Sequence, residues 1–355
     1  MNDDPGRKRV RVLVVDDSPV VRELIVYLLE ADPWIQVIGT AANGEEALEA
    51  VKQKSPDVVT MDYHMPTLNG LDATRQIMET HPVPIVIVSG SSARDEVASA
   101  FRLLEAGALA VVEKPRGIGQ AGHAAAAKQL VQTVKLMAEV KVVRRWPRRN
   151  VGVSATPAHR EIELKPIHAE VKLVAIGAST GGPVVLKTIL AGLPKNFPVP
   201  ILIVQHIAAG FTQGLVEWLA QTTGFPVHVA THDAYPLPGH AYVAPAGSQM
   251  KLAPDGAIVL NGDAPENGHR PSVSYLFRSI VTTWGHHVIG VLLTGMGKDG
   301  AEELKLMKEK GAVTIAQDFE TSVVHGMPGV AIELNAATHI LSPEEIAAVL
   351  GSLAK

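Results

Sequence analysis

Short Val- and Ile-rich runs alternate with stretches of helical period, and this pattern occurs twice along the chain. In residues 10–115 the runs are VRVLVVDD, DVVTMD, PIVIVSG and ALAVVEKP. Such continuous apolar runs suit strands covered on both faces. Between the first two, Val21, Leu24, Ile25, Leu28 and Leu29 make one apolar stripe of helical spacing. Ser18 before Pro19 reads as an N-cap followed by proline at the first helical position. From Val171 the alternation restarts with KLVAIGAS, PILIVQH, HHVIGVLLTG and GAVTIAQD. Alternation of this kind predicts an α/β fold built on parallel sheets.

The two blocks predict two doubly wound parallel-sheet domains, one flavodoxin-like and one Rossmann-like. A helical run, Ala121–Val143, closes the first. KVVRRWPRRN follows, with Lys141, Arg144, Arg145, Arg148 and Arg149, and periodicity fades until about His168. The expected division is a domain over 1–143, a linker over 144–168 with a solvated basic run, and a domain over 169–355. A chain of 355 residues suits two domains at roughly 150 residues each. The formal charge of −4 gives no general attraction to nucleic acid or anionic lipid. No helix of the second block has a clustered basic face, which argues against nucleic-acid binding. Cysteine is absent, so disulfide and thiolate chemistry are excluded. The start, MNDDPGRKRV, lacks a signal-like apolar core, and no run approaches the roughly 20 apolar residues of a membrane span. These features predict a cytoplasmic protein with no direct membrane insertion.

The chemistry-bearing residues of the first block all fall at strand ends. Asp16 and Asp17 end the first run, Asp62 ends DVVTMD, Ser89 ends PIVIVSG, and Lys114 ends ALAVVEKP. In an open parallel sheet the carboxyl edge is where ligands bind. Three carboxylates gathered there repel one another unless a cation intervenes. Oxygen donors of this kind suit Mg²⁺. Lys114 adds a positive charge, and Ser89 a hydroxyl for a phosphoryl oxygen. The set fits an aspartate that accepts a phosphoryl group.

These motifs, VVDDS, MDYHMP with Asn69-Gly70, Ser89 and EKP, resemble response-regulator receiver domains over about residues 10–143. The resemblance implies phosphorylation at Asp62, Mg²⁺ held by Asp16, Asp17 and Asp62, and a histidine kinase as phosphoryl donor. One position departs from the family pattern. Three residues before the lysine, where an aromatic ring often reorients on activation, stands Val111. A relay is therefore expected through Ser89 and the loops.

In the second block, GASTG matches the nucleophile-elbow pattern G-x-S-x-G in a strand-then-helix context. A serine nucleophile needs a base. His206 ends PILIVQH, and Asp299 follows VIGVLLTG. Ser179, His206 and Asp299 thus each follow a separate strand and are expected to converge as nucleophile, base and orienting carboxylate. Amides at the helix start by Thr180, and those around Met296 and Gly297, are oxyanion-hole candidates. Gly177 is expected to permit the sharp turn, and Gly181 and Gly182 close approach. Dinucleotide binding would need G-x-G-x-x-G and an acidic residue after the second strand; His206 stands there instead. A phosphate loop would want Lys after its last glycine, where Pro183 stands. His240, His269, His286, His287 and His325 read as surface or packing residues.

IGASTGGP, VQH, PGHAYVAPAG, HRPSVSYLF, LLTGMGKDG and VVHGMPG, in order over about Val171–Leu350, resemble chemotaxis protein-glutamate methylesterases. The resemblance implies Ser179, His206 and Asp299 as a triad, with Thr180 and Met296 lining the site. It implies methyl esters on glutamates of methyl-accepting chemoreceptors as substrate, and deamidation of receptor glutamines. No cofactor is implied for ester hydrolysis. Ser274 stands where the family usually has Asp, and is expected to affect receptor fit or the local loop. The alternative is a response regulator whose second domain only binds a partner.

Overall fold

Each Val-rich run of the first block becomes a strand in a computed structural model that describes residues 8–90, 94–115, 117, 119–120, 122–140, 142, 171–208 and 210–354. The chain divides into two units, Met1–Val151 and Gly152–Lys355. The expected linker, 144–168, and the basic residues from Lys141 to Arg149 lie outside the described residues.

The first unit alternates strictly. Its elements are β1 (Val10–Val15), α1 (Pro19–Glu30), β2 (Ile35–Ala41), α2 (Gly44–Lys54) and β3 (Val58–Met61), then α3 (Gly70–Thr80), β4 (Ile85–Ser89), α4 (Arg94–Ala106), β5 (Ala110–Glu113) and α5 (His123–Met137). The strands order as β2-β1-β3-β4-β5, and every pairing is parallel. Val12, Leu13, Val14 and Val15 are buried, as are all five residues of β4, because helices cover both faces. Ser18 caps α1 by accepting from the Val21 amide at 3.5 Å, with Pro19 at the first turn. The sequence reading missed β2: IQVIGTA lies at the sheet edge and is only part-buried, so it lacks the unbroken apolar run of a central strand.

The second unit contains β6 (Leu173–Ala178), α6 (Gly182–Gly192), β7 (Ile201–Gln205), α7 (Thr212–Thr223), β8 (Val227–Val229) and β9 (Ala241–Val243). A hairpin of β10 (Gln249–Leu252) and β11 (Ile258–Asn261) precedes α8 (Val273–Trp284). Then come β12 (Val288–Leu292), α9 (Ala301–Glu309), β13 (Val313–Gln317), α10 (Met327–Glu333), β14 (His339–Leu341) and α11 (Pro343–Gly351). Seven strands order as β14-β13-β12-β6-β7-β9-β8, and all pair in parallel. The chain leaves β6 toward β7 on one side and returns to β12 on the other. That reversal of direction opens a crevice at the carboxyl ends of β6, β7 and β12.

The glycine roles need correction. Gly177 lies inside β6, not at the turn, and a Cβ there would come 2.4 Å from Val273 Cγ1 and 3.0 Å from Leu292 Cδ1. Its function is to let α8 approach the sheet. The turn residue is Gly181, with φ of 80°, a conformation that favours glycine. Gly177→Ala should therefore overpack this contact and destabilise the protein by about 1–3 kcal/mol, read as a lower urea midpoint.

Candidate active site

At the carboxyl edge of the first sheet, Asp16, Asp62 and Ser89 are all buried. Lys114 Nζ sits 2.8 Å from Asp16 Oδ2 and 3.3 Å from Asp62 Oδ1. The register pairs Ser89 with Glu113, and the Lys114 amide donates to Ser89 O at 2.7 Å, so hydroxyl and ammonium share one rim. Burial pushes the Asp62 carboxyl up; the Lys114 charge pulls it down, and Asp16 pushes it up again, for a net rise. Burial opposes the charged form of Lys114, but the hydrogen bond to Asp16 and the charges of Asp62 and Asp16 raise it overall. Asp16, Asp17 and Asp62 each bring an oxygen to within 4.8 Å of the others. Three hard oxygen donors so close fit Mg²⁺. Val111 is half-buried on β5, paired with Ile87.

At the carboxyl edge of the second sheet, parallel pairing sets Ala178 beside Gln205. The next residues on each strand are Ser179 and His206, and the His206 amide donates to Ala178 O at 2.9 Å. The Gln205 side chain ties the two together: its Nε2 donates to Ser179 O at 2.8 Å and to His206 O at 2.9 Å. The loop after β12 closes from the other side. The Ser179 amide donates to Thr294 O at 3.0 Å, and Thr294 Oγ1 donates to Thr180 O at 2.9 Å. Thr180 is half-buried, whereas Met296 and Gly297 are exposed beside it. Amides at the start of α10 hold this loop: Gly326 and Met327 donate to Gly295 O at 3.1 and 2.8 Å.

His206 and Asp299 meet directly, with Nε2 of the imidazole 2.9 Å from Asp299 Oδ2. Asp299 is 1 % exposed, yet it is densely hydrogen-bonded. Its Oδ1 accepts from Ser272 Oγ at 2.8 Å, Asn267 Nδ2 at 2.9 Å and the Ser274 amide at 3.1 Å. Its Oδ2 also accepts from the Val273 amide at 2.7 Å. Val273 and Ser274 open α8, so the carboxylate sits on the positive end of a helix. Burial alone would favour the neutral acid. The hydrogen bond and charge of His206, with the hydrogen bonds of Asn267 and Ser272, outweigh it and hold Asp299 well below the usual carboxylate range.

An ionised Asp299 only accepts, so Nε2 of His206 carries the hydrogen and Nδ1 holds the free lone pair. That Nδ1 is buried without a hydrogen-bond partner. A buried nitrogen without a protein partner is available to accept a proton. The structure thus joins His206 to Asp299 and sets Ser179 across from His206; no Ser179–His206 hydrogen bond is formed in it.

Sequence reading missed Gln205, Ser272 and Asn267. Ser272 before a run of helical period was a legible N-cap signal, and Asn267-Gly268 a turn signal. What they cap and clamp was not legible. His269, expected to be a packing or surface residue, stacks on His206 with ring centroids 3.8 Å apart. Ser274 also departs from expectation. It is buried, its amide donates to Asp299, and its Oγ accepts from the Gly300 amide at 2.9 Å and Asn267 Nδ2 at 3.1 Å. It belongs to the carboxylate's surroundings because it lies in the first turn of α8.

Fold and strand-end residues together define a receiver-type sheet followed by an α/β hydrolytic domain. Comparison with known proteins agrees. The response regulator receiver domain family matches residues 12–125, and the CheB methylesterase family matches residues 174–350. A protein-glutamate methylesterase/protein-glutamine glutaminase of Nitrosospira multiformis is 55% identical over 97% of this chain and 97% of its own. One from Geobacter metallireducens is 57% identical over 97% of this chain and 99% of its own. The crystal structure of the Thermotoga maritima CheB methylesterase catalytic domain is 39% identical, covering 52% of this chain and 98% of that one, with a TM-score of 0.50. The chain belongs to the protein-glutamate methylesterase/protein-glutamine glutaminase family.

The depressed Asp299 makes stability depend on pH. Its folded pKa lies below the unfolded value of about 3.9. Its stabilisation is therefore complete above that value and lost as pH falls through the folded one. Wild type should lose stability progressively as pH drops below about 5, the loss continuing until the folded value is passed. Asp299→Asn should start less stable by roughly 3 kcal/mol and show a shallower loss, measured by urea unfolding at each pH.

Proposed function

We propose that this protein is a phosphorylation-regulated serine hydrolase that removes methyl groups from glutamate esters on methyl-accepting chemoreceptors and deamidates receptor glutamines. The observation that supports the reading is His206, whose Nε2 is bound to a buried carboxylate while its Nδ1 has no protein partner, after the strand next to the one that Ser179 follows. Ser179 Oγ attacks the ester carbonyl carbon, and its proton passes to Nδ1 of His206. Asp299, fixed as an anion, stabilises the imidazolium. The C–OCH₃ bond breaks as His206 gives the proton to the departing methoxide oxygen, releasing methanol. Water, activated by the same nitrogen, then cleaves the glutamyl-serine ester to release the carboxylate. A glutamine side chain follows the same course with ammonia as leaving group. The amides of Thr180, Met296 and Gly297 are assigned to the oxyanion, in keeping with the left-handed φ of 82° that turns the chain at Gly297.

In the receiver, assigned to residues 1–143 ahead of a 144–168 linker and a 169–355 catalytic domain, a carboxylate oxygen of Asp62 takes the phosphoryl group from a histidine kinase. Mg²⁺ bound by Asp16, Asp17 and Asp62 would neutralise charge on the transferring group. Lys114 and Ser89 contact the phosphoryl oxygens. We assign the reaction to the cytoplasm. Among the described residues, no helix is long and apolar enough to cross a membrane.

With methyl-labelled receptor membranes, Ser179→Ala and His206→Ala should each lower turnover by on the order of a millionfold. Asp299→Asn should cost about ten-thousandfold. Near-normal methanol release by Ser179→Ala would overturn the reading. For regulation, adding a low-molecular-weight phosphoryl donor with Mg²⁺ should raise turnover of the full chain, and Asp62→Asn should not respond.

A further inference from the structure

The proposed base is incompletely held by its known partner. Asp299 grips His206 at Nε2 alone, and Nδ1 has no bond to steady it. One hydrogen bond leaves an imidazole free to twist about that contact, and a twisting ring would not hold Nδ1 in the one position that the proposed proton transfer needs. The missing restraint is a second imidazole. His269 lies flat on His206, with ring centroids 3.8 Å apart and planes 4° from parallel.

We propose that His269 is a positioning residue for hydrolysis: its ring fixes the plane of His206 and covers one face of it against water. The inference rests on the reading of His206 as the base. His269 is itself braced from several sides. Its backbone bridges to Glu266, with amide-to-carbonyl distances of 3.0 and 2.8 Å. Gln249 Nε2 donates to His269 O at 3.3 Å while Gln249 Oε1 accepts from the Ser272 amide at 2.9 Å. Arg278 pairs with Glu266 and, at 3.0 Å, with Glu303, tying the turn to α8 and α9. Asn267, in the same turn, donates to Asp299. One braced turn therefore touches both members of the His206–Asp299 pair.

The stack works only if His269 stays uncharged when His206 takes a proton. Burial, then the neighbouring His206, push His269 down to about 4, against the opposing pull of Asp299. At neutral pH a flat, neutral π-face therefore lies against the ring that becomes cationic, an attractive arrangement.

The test uses the full chain and methyl-labelled receptor membranes. His269→Ala should lower kcat by about tenfold to a hundredfold with KM changed less than about twofold. His269→Phe restores a flat ring without a titratable nitrogen. It should recover kcat to within about threefold of wild type, and its thermal unfolding should match wild type. Unchanged kcat in His269→Ala would overturn the proposal, as would a loss confined to KM. His269→Phe as inactive as His206→Ala would also overturn it, because His269 would then itself transfer a proton. If His206→Ala retained full activity, the triad reading would fail, a result separate from either His269 variant.

Discussion

Much of the catalytic domain is organised around the oxygens of one carboxylate. Asp299 collects donors from the start of α8, from the turn before it and from the end of β7. Each hydrogen bond to a charged group is worth about 1.5–3 kcal/mol net, enough together to keep a charge buried. The cost of placing a charge there is what makes the arrangement specific. Remove any donor and a buried anion is left short, so loop, helix and imidazole are held in one relation.

The chain order supplies the place for this. Because β6 has β7 on one side and β12 on the other, three loops leave the same edge in diverging directions. Ser179, His206 and Asp299 follow those three strands. The receiver applies the same rule to different chemistry. Asp16, Asp62 and Lys114 follow three, and Ser89 ends the fourth, of four adjacent parallel strands, and Lys114 reaches both carboxylates at that edge. One carboxylate is driven toward neutrality by burial and by another carboxylate, the other toward ionisation by five donors. Both are buried aspartates; the partners decide the difference.

The proposed nucleophile and base are backed by residues that are neither. Gln205 straps Ser179, after β6, to His206, after β7. Thr294 stitches the Ser179–Thr180 loop to the loop after β12. Gly177 lets α8 come close enough for its first amides to reach Asp299. Each acts through geometry, which is why such residues matter although none is reactive.

The sequence by itself determined the two parallel-sheet domains, because unbroken Val/Ile runs can be buried only as strands covered on both faces. It also determined which residues end those strands, and so the carboxylates, serine, histidine and lysine at each edge. The edge strand β2 escaped, since a half-exposed strand has no unbroken apolar run. Tertiary structure alone decided that Ser272, Ser274 and Asn267 surround Asp299, that His269 lies on His206, and that Gly181 rather than Gly177 makes the turn. Those contacts join residues from 25 to 63 positions apart. Local propensity carries no information about which of two distant polar side chains will share a proton; only closure of the sheet brings them into reach.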